Sequence, residues 1–221
     1  AVTGVQTCAL PILLMNEQLL KMNGLSVEIL DALSFESHLG IPLKNNLHYF
    51  DKDLLIAELV AMTEWLDEQE ILSGIALDYR VKSLDSILLK YDRYYPDHQT
   101  RKVFNDILGF RAFCDSYDQI LKEESVQFRI ADMSSGKAVD DGYRGVHVYY
   151  QKSGKYYPIE IQFNTLFDRQ LNNWLHDYLY KKDYPIETGR ILREKYESGL
   201  IRNEHEFKEV LNNVLSGSER S

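Results

Sequence analysis

The chain has 221 residues, 44% hydrophobic and 27% charged, with 25 Lys and Arg against 34 Asp and Glu for a formal net charge of −9. That length and composition describe one globular domain with a sizeable core and some helical decoration. The acidic balance excludes a generic nucleic-acid binder held by counterion release. The two cysteines, Cys8 and Cys114, lack metal-ligand spacing, which excludes a zinc site or disulfide scaffold and points to a reducing, cytoplasmic setting. The apolar run near the start is broken by Pro11 and followed by Glu17 and Lys21. It is too short and polar to span a membrane, and no basic n-region marks a signal peptide.

Ala1 to Ile12 share no periodicity with the residues after them, and Met15 precedes a clean helical pattern. Residues 1–14 are therefore expected to be a non-native leader. From Asn16 to about Phe35, Leu19, Leu20, Val27, Leu30 and Leu33 predict helix, with a break at Asn23–Gly24. Gly40 to Asn46 reads as loop. Asp51 is placed to cap a helix whose Leu54, Leu55, Ala57, Leu59, Val60, Met62 and Trp65 face inward. Ile75, Leu77, Tyr79 and Val81 alternate as a strand does, and Ser83 to Arg93 returns to helix.

A polar loop at Tyr95–Thr100 leads to a buried strand, Ile107 to Cys114, then a short helix at Tyr117–Glu123 and a strand from Val126 to Ile130. Ser134 to Gly142 is a polar loop. Val146–Tyr150 and Tyr156–Phe163 predict a hairpin around Ser153–Gly154. Thr165 caps a helix running to about Lys182, with Asp168 three places on, and Thr188 to Leu215 reads as two more helices. The expected organisation is N-terminal helices over 15–70, a catalytic core over 71–182 and C-terminal helices over 183–221. The fold class is α+β, a mixed sheet of about five strands flanked by helices.

Chemistry concentrates in four places. Arg80, Lys82, Ser86 and Lys90 run from a strand into a helix, where Ser86 and Lys90 share a face and Lys82–Ser83 sit at an N-terminus that favours phosphate. The same residues also suit a capped surface helix, as do the neighbouring Arg93, Arg101 and Lys102. Asp106 stands at a strand entrance, a place for a Mg²⁺ ligand or a plain turn residue. Arg111, inside an apolar strand, must reach solvent or pair with something. Tyr143 lies on a glycine-flanked loop, Arg144 comes next, and His147 enters the next strand. Glu160 is a lone acid between Ile159 and Ile161, desolvated on its sides and aimed at one face, with Gln162 two places on.

These segments resemble the RelA/SpoT family of nucleotide pyrophosphokinases. They are the Arg-x-Lys-Ser block at Arg80–Lys90, Asp-Ile-Leu-Gly-x-Arg at Asp106–Arg111, Gly-Tyr-Arg-Gly-x-His at Gly142–His147, and Glu-Ile-Gln at Glu160–Gln162 with a Trp-bearing helix after it. The likeness covers roughly Ala76 to Lys182. It implies a nucleotidyltransferase-like synthetase fold and transfer of the β,γ-diphosphate of ATP to a ribose 3′-hydroxyl with AMP release. By the resemblance, Arg80 and Arg111 sandwich adenine and Lys82, Ser86 and Lys90 hold donor phosphates. Asp106 and Glu160 bind Mg²⁺, with Glu160 also the base. Tyr143 stacks on the acceptor base and serves transfer, with Arg144, His147 and Gln162 beside it.

The chain departs from the family where an Arg two places after Gln162 is replaced by Asn164, and where Asp140 and Asp141 precede Gly142. Those acids are expected to repel a free guanosine di- or triphosphate. The expected acceptor is therefore the tRNA 3′ CCA end, as in translation-inhibiting toxins neutralised by an antitoxin protein. The alternatives are an alarmone synthetase using GDP or GTP, and an inactive nucleotide-binding module.

Overall fold

The computed structural model describes residues 14–121 and 127–217. The leader expected over 1–14 lies outside these residues apart from Leu14. Helices α1 (Leu14–Met22) and α2 (Val27–Ala32) are separated by Gly24, whose φ of +74° suits glycine. Ser26 Oγ accepts from Ile29 N–H to start α2. Helix α3 (Lys52–Asp67) begins at Asp51, whose carboxylate accepts from Leu54 N–H at 3.0 Å, and buries Leu55, Leu59, Met62 and Leu66. That spacing puts the four on one helical stripe, so Leu54 and Ala57, expected to face inward, lie off it and are exposed. A single turn, α4 (Glu70–Ser73), precedes the sheet.

The sheet has five strands: β1 (Asp78–Val81), β2 (Leu108–Phe113), β3 (Phe128–Met133), β4 (Gly145–Tyr150) and β5 (Ile159–Asn164). They lie in the order β1-β2-β5-β4-β3, with β2 and β5 parallel and every other neighbour antiparallel. Helices α5 (Leu84–Tyr94) and α6 (Thr100–Val103) connect β1 to β2, and α7 (Asp118–Leu121) comes after β2. Helices α8 (Leu166–Tyr178), α9 (Glu187–Glu197) and α10 (Glu204–Ser216) close the chain. Among the described residues no helix is long and apolar enough to cross a membrane.

The period of two assigns each strand's faces. Leu108, Phe110, Ala112, Val146, Val148, Tyr150, Ile159, Ile161 and Phe163 are all buried in the main core, against α1, α2 and α3. Each large apolar side chain fully buried there contributes about 1.5–3 kcal/mol. The C-terminal helices build a second cluster from Leu171, Leu175, Leu192, Tyr196, Phe207 and Leu211.

The mixed five-strand sheet and the chain order of its elements are as the alternation implies; boundaries shift. The first strand starts at Asp78, and β3 runs on to Met133; residues 122–126, which the expected short helix and third strand both touch, lie outside the described ones. Tyr156 to Pro158 fall before β5. Instead Tyr157 N–H bonds to Phe35 O at 3.0 Å and Tyr156 bridges Glu36, while Pro158 has no N–H to give a ladder. Helix α8 ends at Tyr178, four residues before Lys182.

Candidate active site

The strand face opposite the main core carries the chemistry. Residues directly opposite in register share a face, so one row runs Arg80, Gly109, Glu160, Tyr149, Arg129 across all five strands. The next row runs Asp78, Arg111, Gln162, His147, Ala131. Residues from four separate sequence segments thus converge on two adjacent rows. Gly109 gives Glu160 its room: a Cβ built there would stand 3.4 Å from Glu160 Oε2.

Glu160 is 6% exposed. Its Oε1 lies 2.9 Å from His147 Nδ1, and Gln162 Nε2 donates to Oε2 at 2.7 Å. Burial pushes its carboxyl pKa up, but the hydrogen bond and charge of His147, with Gln162 and Tyr149, outweigh it and hold the group below its ordinary value. A carboxylate facing Nδ1 requires a proton there, and the other ring nitrogen, Nε2, lies 2.7 Å from the Tyr143 hydroxyl. Tyr143 is pushed up to about 12, chiefly by burial, and stays a donor at neutral pH. The result is a line of hydrogen bonds joining Tyr143, His147 and Glu160.

Asp106 stands just ahead of β2, at the same end of the parallel pair as Glu160. Lys82 Nζ meets its Oδ2 at 2.6 Å and Lys90 Nζ its Oδ1 at 2.9 Å. Lys82 is fixed by its N–H bonding Ile107 O, and Lys90 also donates to Val103 O at 3.1 Å. Ser86 Oγ lies 3.0 Å from Ser83 Oγ at the start of α5. The Tyr149 phenol pKa is raised by burial, then by Glu160, with Asp106 adding a smaller push, so all three share one neighbourhood. Among the described residues no three His, Cys, Asp or Glu side chains converge as a metal cage. Mg²⁺ sites in phosphoryl transfer take one or two carboxylates and complete the shell with phosphates and water, a donor set that Asp106 and Glu160 fit.

The Tyr143 loop is built by its own acids. Asp140 Oδ1 accepts from Gly142 N–H, and both its oxygens take Arg144 Nη1 and Nη2 at 2.8 and 3.0 Å. Asp141 accepts from Tyr143 N–H and from Lys137 Nζ at 2.6 Å. The expected repulsion of acceptor phosphates by these two carboxylates therefore does not hold: each is neutralised by its own cation. Lys137 Nζ also sits 5.0 Å from the centre of the Tyr143 ring, on a face that a base would need. Gly145 leaves room for the same tyrosine, since a Cβ there would come within 2.8 Å of its hydroxyl.

Arg80 and Arg111 line a cleft of 390 Å³ with Leu77, Asp78 and Tyr79, and among the described residues neither forms an ion pair. The sequence reading missed four side chains. Tyr149 and Arg129, stacked with the guanidinium 4.2 Å from the ring centre, were legible from the alternation that places them in line with Glu160. Arg169, early in α8, carried no such signal. Arg193, 1% exposed on α9, binds Asp168 Oδ1 at 2.6 Å, Gly142 O at 2.8 Å and Asn172 Oδ1 at 3.2 Å. It ties α8 and α9 to the Tyr143 loop.

Residues 79–184 match the family described as a region found in RelA / SpoT proteins. That stretch in the middle of the chain is similar to a region of RelA/SpoT proteins. Every side chain singled out from the sequence lies inside the RelA/SpoT match, while Arg193 lies outside it. Among solved structures, small alarmone synthetase 1 from Bacillus subtilis bound to its product pppGpp is 25% identical, with a TM-score of 0.41 over 73% of this chain and 90% of that one. The same Bacillus subtilis protein bound to AMPCPP is 21% identical, with a TM-score of 0.35 over 76% and 90%. A GTP pyrophosphokinase family protein from Streptococcus pneumoniae is 22% identical, with a TM-score of 0.38 over 74% and 91%. No curated protein matches the chain.

Proposed function

We propose that this RelA/SpoT-type pyrophosphokinase moves the β,γ-diphosphate of ATP to a ribose 3′-hydroxyl and releases AMP. The observation that carries the reading is a buried, deprotonated Glu160 on one sheet face, with Asp106 and its two lysines just ahead of the neighbouring parallel strand β2. Such transfer needs in-line positioning and cations on the phosphate oxygens more than covalent help. Arg80 and Arg111 hold adenine between their planes in the cleft they line. Lys82, Lys90 and Ser86 take the donor phosphates. Bound at Asp106 and Glu160, Mg²⁺ would supply further charge neutralisation on those phosphates. Glu160, with lone pairs left after its bonds to His147 and Gln162, accepts the 3′-hydroxyl proton. Tyr143 supports the acceptor base, flanked by Arg144 and steadied through His147.

For the acceptor we favour a cytosolic tRNA 3′ end, which makes the protein a translation-inhibiting toxin with a neutralising antitoxin partner. What supports this is the engagement of Arg144 by Asp140 and Lys137 by Asp141, which leaves this loop no unpaired cation for a 5′-polyphosphate. A GDP or GTP acceptor is the second reading, favoured by Lys137 lying over the Tyr143 ring, where it can exchange Asp141 for an incoming phosphate. Purified protein with Mg²⁺ and terminally labelled ATP, offered deacylated tRNA, GDP and GTP, separates the two. Label on tRNA is expected. Label on guanosine nucleotides reverses the choice of acceptor, and the absence of AMP release with all three overturns the transferase.

A further inference from the structure

Arg169 sits in the first turn of α8, nine-tenths out of solvent. Its Nη2 donates to Ala112 O at a long 3.3 Å, and its guanidinium lies 5.1 Å from the centre of the Phe113 ring. Its Nε is buried with no partner. The neighbouring carboxylate, Asp168, is already engaged by Arg193 at 2.6 Å, Tyr117 at 2.7 Å and Thr165 at 2.9 Å. A buried guanidinium without a carboxylate is a costly arrangement unless an anion joins it.

The place is part of the chemical face. Phe113 is one pleat along β2 from Arg111, on the same side, and stands opposite Asn164 in register. Asn164 is neutral and its amide is given to Arg144 O at 2.9 Å. Arg111 makes no ion pair among the described residues either. Two guanidinium groups therefore lie along one stretch of β2. Asp78, opposite Arg111 in register and acting on Arg169, is the nearby acid, and it forms no ion pair with either among the described residues. Burial first, then the charge of Arg111, pull the Arg169 pKa down, and Tyr143 is close enough to act on it as well. The first turn of a helix adds its own positive field.

We propose that Arg169, with Arg111, binds a phosphate anion of a nucleotide seated between the adenine cleft and Tyr143. This rests on the reading that nucleotides occupy this face. Guanidinium suits the task because its planar fork can give two hydrogen bonds to one phosphate. Both the donor and the acceptor carry that chemistry.

The test compares the full chain with its Arg169→Met and Arg169→Lys variants. Calorimetry is run with three probes: AMPCPP for the donor, GDP for a free acceptor, and a short RNA ending in CCA. Melting temperature is measured without ligand. Arg169→Met keeps a stem to lie on Phe113 but removes the charge. Its unliganded melting temperature should hold or rise, while one probe binds about tenfold more weakly or worse, the usual effect of losing a charge-assisted hydrogen bond. The probe affected identifies the phosphate. Arg169→Lys should keep the melting temperature and recover only part of the affinity, and it carries the test if the methionine variant does not fold. Unchanged affinity for every probe that the parent binds overturns the proposal, as does a melting temperature lowered by more than about 5 °C with affinity intact. A parent that binds none of the three probes removes the functional reading, and this site with it.

Discussion

Gly142 and Gly189 meet backbone to backbone. A Cβ on Gly189 would stand 2.0 Å from Asp141 O, and one on Gly142 would stand 2.3 Å from Gly189 O. Gly142 also has φ of +85°, where an L side chain is strained. The start of α9 thereby sets the height of the loop that carries Tyr143. Gly189→Ala should cost about 1–3 kcal/mol, as overpacking does, and should lower turnover with the acceptor more than affinity for ATP. Equal stability in urea and unchanged turnover would show that the loop can move aside.

Arg193→Met should be among the most destabilising single changes. It leaves Asp168 buried without its cation, and breaking a buried pair from one side costs about 3–5 kcal/mol. Chemical denaturation measures it; a loss under about 1 kcal/mol contradicts the clasp between α9 and the Tyr143 loop.

Glu160→Gln should remove turnover by several orders of magnitude and leave the fold intact, because a charge at the reacting centre is lost while the shape is kept. It should also flatten part of the acid limb of stability. The Glu160 carboxyl is held below its ordinary value of 4.5 in the folded protein. Its contribution to folding is thus complete above that value and fades as pH falls through the lower folded one. Melting curves of parent and variant should converge toward acid pH; turnover within about tenfold of the parent would remove Glu160 from the chemistry.

Tyr143→Phe should keep acceptor affinity and lose part of turnover, whereas Tyr143→Ala should lose both, with ATP affinity near that of the parent. The ring offers a stacking surface worth about 1–3 kcal/mol, and the hydroxyl bonds to His147. Equal behaviour of the two variants would mean that the ring takes no part in holding the acceptor.

Replacing Asp140 and Asp141 together by Asn should tighten GDP binding, because Arg144 and Lys137 lose their carboxylates while the Asn oxygens can still accept from Gly142 and Tyr143 N–H. Labelling of tRNA should change little. Calorimetry that shows no gain for GDP would mean that these cations stand out of the acceptor's reach.

Alternation alone made much of this protein legible. Ile-Glu-Ile-Gln over 159–162 and Val-His-Val over 146–148 announce strands with one apolar and one chemical face, because successive side chains must point to opposite sides. Given those faces, Glu160, His147 and Gln162 had to share a side, and Tyr149 was equally readable. Charge state was not. Asp140 and Asp141 look like a repulsive pair in sequence, yet in the folded chain they end on Arg144 and Lys137, because a turn brings residues four apart into contact. Nor could spacing reveal that Arg193, some fifty residues on, reaches Gly142, or that Arg169 lies over Phe113 without an acid. Local periodicity is a property of the chain's own geometry, so the sequence determined the sheet and its reactive side. Which cations are neutralised and which remain unpaired depends on contacts between distant segments, and those were decided only when α8 and α9 packed against the loops.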